Sequence, residues 1–101
     1  MTLVSLLELT LSPEAAADHD ASLAVVAQVL EATRAFEGCL GCDVVVDVTD
    51  PAHVVVVERW ESLEHDDAYR AWRRTPEGAS RLGEVLAQPP ALSRYTTADG
   101  V

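Results

Sequence analysis

The chain has 101 residues, of which 49% are hydrophobic and 24% charged, a composition that predicts one packed domain over residues 1–101 and excludes a disordered segment. Seventeen acidic against seven basic side chains leave a formal net charge of −10, which repels nucleic-acid phosphates and anionic lipid headgroups and argues against either as a partner. The opening stretch MTLVSLLELTLSPE carries no Lys or Arg ahead of its apolar residues and is interrupted by Glu8, so it reads neither as a secretory signal nor as a membrane span. The expected compartment is then the cytoplasm, where Cys39 and Cys42 stay reduced.

Leu3 to Leu11 is short and apolar-rich, bounded by Ser12-Pro13, and predicts a first strand. Ser12 suits a helix N-cap, with Pro13 at the first helical position and Glu14 facing the positive end of the helix dipole. In the helix that follows, Leu23, Val26, Ala27 and Leu30 recur on one face, and Gly38 marks a stop near its C-terminal end. The runs CDVVVDV and HVVVVERW, separated by Thr49-Asp50-Pro51, predict an antiparallel hairpin. Val54 to Val57 place valine on both faces of its second strand, and both faces must be covered. Helices of one small domain cover one face only, so a second copy of the sheet is expected on the other and the chain is expected to be a homodimer.

Ser62 can cap a further helix whose first turn is acidic through Glu64, Asp66 and Asp67; a full capping box would place Glu or Gln at 65, where the chain has His65. That helix is expected to run to about Arg74 and to restart at Thr75-Pro76-Glu77. The restarted segment presents Ala79, Leu82, Val85 and Leu86 on one side, ends before Pro89-Pro90 and leads to ALSRYTT as a last strand. The order β-α-β-β-α-α-β is the ferredoxin-like split β-α-β pattern, an α+β fold with an antiparallel sheet and a second helix broken in two.

Three segments, TRAFEGCLGCDVVVD, VVVERWESLEHDDAYRAWR and TPEGASRLGEVLAQPP, together resemble the antibiotic biosynthesis monooxygenase (ABM) family. The element Glu58-Arg59-Trp60-Glu61-Ser62 fits the E-x-W-x-S motif that ends the third strand in that family. The resemblance spans nearly the whole chain and implies a dimeric α+β barrel, in which two sheets face each other. It implies less about chemistry, because similar folds include cofactor-independent anthrone and quinol monooxygenases, haem-degrading enzymes and members without assigned chemistry.

His65, Tyr69 and Trp72 are spaced i, i+4 and i+7 and point the same way, with Trp60 just ahead of their helix. Aromatics at this spacing can simply fill the core between helix and sheet. Alternatively, with His65 and Arg81, they supply the aromatic walls and polar groups that a flat phenol requires. In the anthrone-oxidising members that the chain resembles, the motif tryptophan, a tyrosine on the next helix and a later arginine line the cavity. Trp60 matches the first, Tyr69 lies about one turn beyond the second on the same face, and Arg81 approximates the third. Where those members carry an asparagine, this chain has Val56.

The resemblance thus implies deprotonation of an electron-rich phenol, quinol or anthrone and direct electron transfer to O2, with no cofactor and no metal. His65 is the candidate base, since an unshifted imidazole titrates near neutrality; as a first-turn residue it could equally be an exposed surface group. Trp60 and Tyr69 are candidate catalytic groups, and Trp72, Arg81 and Val56 candidate substrate contacts. The competing reading is a non-catalytic dimeric module that binds a small aromatic ligand.

Haem degradation is disfavoured: the family positions that serve it correspond to Leu7, to Trp60 and to a later helix with no histidine between Thr75 and Ala91. Cys39-x-x-Cys42 has redox or half-zinc-site spacing, but it leads into a strand and not a helix, and His19, His53 and His65 are scattered. Structural thiols are expected. No phosphate loop, H-x-x-x-H motif or G-x-S-x-G elbow occurs.

Overall fold

The two valine-rich runs pair as the hairpin their composition predicts. In the computed structural model, which describes residues 2–101, β2 (Cys39–Asp47) lies antiparallel to β3 (Asp50–Trp60). The turn falls at Val48-Thr49, earlier than Thr49-Asp50-Pro51, because Asp47 Oδ1 accepts from both the amide and the hydroxyl of Thr49 at 2.8 Å. This tight side-chain turn returns the chain to pairing already at Asp50.

The first strand, β1 (Leu3–Thr10), pairs with β3 on one side and with β4 (Ala91–Thr96) on the other. The sheet order is β2-β3-β1-β4. All neighbours are antiparallel, which gives the ferredoxin-like α+β fold. No helix among the described residues is long and apolar enough to cross a membrane.

Period-two alternation sorts β3 into two faces. Val54, Val56, Glu58 and Trp60 are buried together with Leu3, Ser5 and Leu9 of β1. This face is covered by α1 (Pro13–Ala17), α2 (His19–Ala35) and α3 (Leu63–Arg73). Val4, Leu6, Val45, Val55, Val57 and Tyr95 take the opposite face, by register. They remain half-buried or exposed, with Tyr95 at 53%.

The helical segments depart from expectation in two places. Ser12 caps α1 as predicted, accepting from the Ala15 amide at 3.1 Å with Pro13 in the first turn. The helix then breaks at Asp18, whose backbone is non-helical at φ −117°, ψ 62°. Ser22 compensates by donating its hydroxyl to the Ala15 carbonyl at 2.8 Å. The buried stripe of α2 is consequently Ser22, Val26, Leu30 and Thr33, and Ala27 is exposed.

The second departure is the missing helical restart after Arg74. Thr75 Oγ1 donates to the Trp72 carbonyl at 2.7 Å, and the Gly78 amide returns to the Thr75 carbonyl at 3.1 Å. Gly78 lies so close to Trp72 that an added Cβ would sit 2.0 Å from its carbonyl oxygen. The chain therefore turns here, and only a 3-10 turn at Leu82–Val85 follows. The broken helix is the first one, not the second.

Gly38 also acts differently from a helix stop. The last turn of α2 closes at Phe36, and Gly38, at φ +90°, brings the chain against the first turn of α3, where a Cβ would meet the His65 ring at 2.3 Å. Only glycine combines that dihedral with that approach.

Candidate functional site

Between the covered face of the sheet, α2, α3 and the segment before β4 lies a cavity of about 190 Å³. Leu7, Val26, Val56 and Leu82 contribute apolar wall, and Glu58, Tyr69, Arg70, Arg73 and Ser80 supply its polar groups. Ser80, Leu82 and Pro90 also line a neighbouring surface depression.

The polar end is built by strand alternation and helical spacing. Glu58 follows Val54 and Val56 on the buried face of β3, and its side chain is 1% exposed. Its Oε1 accepts from Trp60 Nε1 at 3.1 Å and from Arg70 at 2.5 Å. Arg70 stands one turn beyond Asp66 on α3, with Nε and Oδ1 3.0 Å apart but off the hydrogen-bond axis. Asp66 is held in addition by Ser5 of β1 at 3.2 Å and by Arg94 of β4 at 3.3 Å. Burial raises the Glu58 carboxyl above the usual carboxylate range, against the opposing pull of Arg70 and of the Trp60 hydrogen bond.

A second cluster fixes Tyr69. Its hydroxyl lies 2.7 Å from Thr33 Oγ1 of α2 and accepts from Arg73 Nε at 2.8 Å. Arg73 also donates to the Val29 carbonyl, to Thr33 Oγ1 and to the Gly78 carbonyl. Two guanidinium groups thus flank the Tyr69 ring, with Arg70 and Arg73 carbons 4.9 and 5.2 Å from its centroid.

Among the residues singled out from sequence, Val56 and Tyr69 line the cavity. Trp60 is fully buried behind it, 5.0 Å from Tyr69 and 6.2 Å from Phe36 by ring centroid, and touches the site through its bond to Glu58. Trp72 belongs to the same aromatic cluster. His65 lies outside the cavity wall: its Nδ1 is 2.6 Å from the hydroxyl of Ser62, the N-cap that also accepts from the His65 amide. Arg81 is exposed and reaches Gln28 at 2.9 Å and Glu84 at 3.4 Å.

The sequence reading does not single out Glu58, Arg70 and Arg73, which line the cavity, although two signals point to their placement. Alternation from Val54 puts Glu58 on the buried face, and the i, i+4 pairs Asp66–Arg70 and Tyr69–Arg73 share one side of α3.

Cys42 is buried and Cys39 half-buried, both unpaired, and burial raises both thiols above their ordinary pKa. That makes them poor nucleophiles near neutrality. No group of three His, Cys, Asp or Glu side chains among the described residues converges on a metal position.

The candidate site is thus an apolar cavity closed by a carboxylate, a tyrosine and two arginines under a four-stranded ferredoxin-like sheet. The model of the family described as antibiotic biosynthesis monooxygenase matches residues 3–79. The chain belongs to the ABM family. It is similar in fold to Rv0793 from Mycobacterium tuberculosis, with 22% identity, a TM-score of 0.74, and coverage of 98% of this chain and 97% of that one. A conserved protein from Methanosarcina mazei Go1 is 17% identical with a TM-score of 0.77, covering 97% and 94% of the two chains. A crystallised antibiotic biosynthesis monooxygenase is 25% identical, with a TM-score of 0.73 and coverage of 95% and 98%. Among curated proteins no sequence matches the chain.

Proposed function

We propose that the protein is a cofactor-independent monooxygenase that oxidises a small electron-rich phenol, of the quinol type, with O2. The observation that carries this reading is the cavity itself, apolar along Leu7, Val26, Val56 and Leu82 and polar at Glu58, Tyr69 and Arg73, in a chain of the ABM family. Its volume of about 190 Å³ exceeds the roughly 150 Å³ that admits benzene but is below the roughly 300–1,000 Å³ of sites for drug-sized ligands. One- or two-ring quinols therefore fit this reading better than polycyclic anthrones. In the proposed reaction a quinol and O2 yield a hydroxyquinone and water: one oxygen atom enters the ring, and the other leaves with two hydrogens from the substrate.

The open face of the sheet supports a homodimer as part of the same reading. Val4, Leu6, Val45, Val55, Val57 and Tyr95 give this face an apolar centre, with Glu8, Asp43, His53 and Arg59 among them, that the chain's own helices leave uncovered, and a second copy offers a surface of the same composition.

Oxygen uptake with a panel of hydroquinones, naphthohydroquinones and anthrones, with chelator present and no flavin, tests the proposal. The wild type should consume O2 faster than buffer with at least one quinol, and Val56→Trp, which fills the cavity, should abolish the excess while the protein stays folded. Tight quinol binding without uptake would favour a binding module, and uptake unchanged in Val56→Trp would remove the cavity as the site.

A further inference from the structure

Glu58 meets the cavity with half of its bonding unused. An ionised carboxylate offers about four acceptor positions. Oε1 takes the Trp60 and Arg70 donors, whereas Oε2, buried and without solvent contact, has no hydrogen-bond partner among the described residues. Folds rarely keep a buried acceptor without a donor, because neither water nor protein repays its desolvation. Glu58 lines the cavity, so a ligand donor that reaches Oε2 would complete it.

Arg73 presents the complementary anomaly. Every hydrogen bond it makes goes to a neutral acceptor, namely the Tyr69 and Thr33 hydroxyls and the Val29 and Gly78 carbonyls. Among the described residues it pairs with no carboxylate, although the chain carries ten more acidic than basic side chains. A cavity lined by a carboxylate with one unpartnered oxygen and by a guanidinium without a counter-charge suits a ligand that gives up a proton and keeps the negative charge.

We propose that Glu58 Oε2 is the proton acceptor for the substrate hydroxyl and that Arg73 faces the oxyanion left behind, so that the site selects ionisable phenols over neutral arenes. This rests on the phenol-oxidising reading above and goes beyond it by assigning the base. The substrate O–H bond breaks, the proton joins Oε2, and the electron pair stays on the phenolate oxygen. Trp60 is a positioning residue in this scheme, since its indole N–H occupies Oε1 and leaves Oε2 free.

The groups packed around Glu58 are compatible with that role. Arg70 of α3 binds it directly, while Asp66 of the same helix raises its proton affinity further and is itself held by Arg94 of β4. Ser5 of β1 and Cys42 of β2 are its register neighbours. Burial, the largest influence on it, makes Glu58 a stronger base than a solvated carboxylate.

Anaerobic titration of the intact protein with 4-nitrophenol, whose ionised form alone absorbs in the visible, reads the proton transfer without turnover. Wild type should bind the probe largely as phenolate at a pH where the free probe is mainly neutral. Glu58→Gln should still bind it, with the ratio of ionised to neutral bound probe reduced about tenfold or more, a shift of one pKa unit or more. Arg73→Gln should weaken binding of the ionised probe while leaving that of toluene unchanged.

Infrared difference spectra of the wild type provide a readout that needs no variant: a protonated carboxyl band should appear when the probe binds. An unchanged ionised fraction in Glu58→Gln, or no carboxyl band in the wild type, overturns the assignment of Glu58. Failure of any phenol to bind at millimolar concentration overturns the phenol reading itself. Proton transfer to Glu58 without oxygen uptake upholds the present inference and removes only the oxygenase.

Discussion

Arg70→Leu would remove the one cation shared by two buried carboxylates, and the structure sets the size of the effect. The Arg70 side chain is 16% exposed, against 1% for Glu58 and 0% for Asp66. Asp66 keeps Ser5 and Arg94, but Glu58 keeps only the Trp60 indole. Breaking a buried pair from one side costs about 3–5 kcal/mol, most of it here from the stranded Glu58. For a domain of this size that is a fall in Tm on the order of 15–30 °C.

The deficit should depend on pH with a defined sign. The folded-state pKa of Glu58 already lies above the ordinary carboxylate value, so its protonation favours the folded state. That stability is fully present below the unfolded pKa and is lost as pH rises through the folded one. Without Arg70 the folded pKa rises further, so urea denaturation should show the variant least impaired near pH 5 and most impaired near pH 8. Arg70→Leu combined with Glu58→Leu should recover most of the loss, because an apolar pair needs no counter-charge. A deficit below about 1 kcal/mol that is equal at both pH values would contradict the buried-pair argument.

Further outcomes follow from other parts of the molecule. His53 bridges Asp47 and Glu8 at 3.0 Å each, bonds that raise its own pKa and, together with the Thr49 donors, lower that of Asp47. Its contribution to stability should be complete below about pH 6.5 and fade as pH rises through the raised folded value. The Asp47 contribution should hold above about pH 4 and fade in acid. NMR titration of the His53 ring checks the first, and a midpoint at or below the free histidine value would refute it. Gly38→Ala, with φ +90° and a Cβ aimed 2.3 Å from the His65 ring, should cost about 1–3 kcal/mol. Gly83→Ala, whose Cβ meets nothing within 4 Å, is the control; equal melting temperatures for the two would refute the close-approach argument. Val57→Glu on the open sheet face should give a monomer by light scattering at micromolar concentration, whereas a monomeric wild type would remove the dimer.

The legible parts of the fold are those in which one signal acts alone. The two valine runs have no competing preference, and both became strands. Ser12 and Ser62 are followed by helical sequence, and both cap as expected. The break at Asp18 has no glycine or proline to announce it, and depends on a Ser22–Ala15 bond visible only once the turn exists. Thr75-Pro76 is ambiguous in sequence because proline marks a helix start and a helix end alike; the close approach of Gly78 to Trp72 decides the outcome.

The lining of the cavity was half legible for a related reason. Tyr69 and Val56 follow from position on their elements, and both line the cavity. Glu58 and Arg73 are charged residues in amphipathic segments, where charge ordinarily marks the solvated side. Only their partners, Trp60 and Arg70 for the buried Glu58 and Thr33 and Val29 for the half-buried Arg73, make their placement tolerable. His65 shows the converse, since a histidine at the third position of a capped helix can be drawn to its own N-cap serine.

Turnover of a naphthohydroquinone under heavy-isotope O2, without metal or flavin, tests the central claim most directly, by mass spectrometry of the organic product. The account predicts one labelled oxygen atom in the hydroxyquinone and the other in water, with both lost in Val56→Trp. An unlabelled quinone with hydrogen peroxide as the reduced product, or labelling that persists in Val56→Trp, would contradict it.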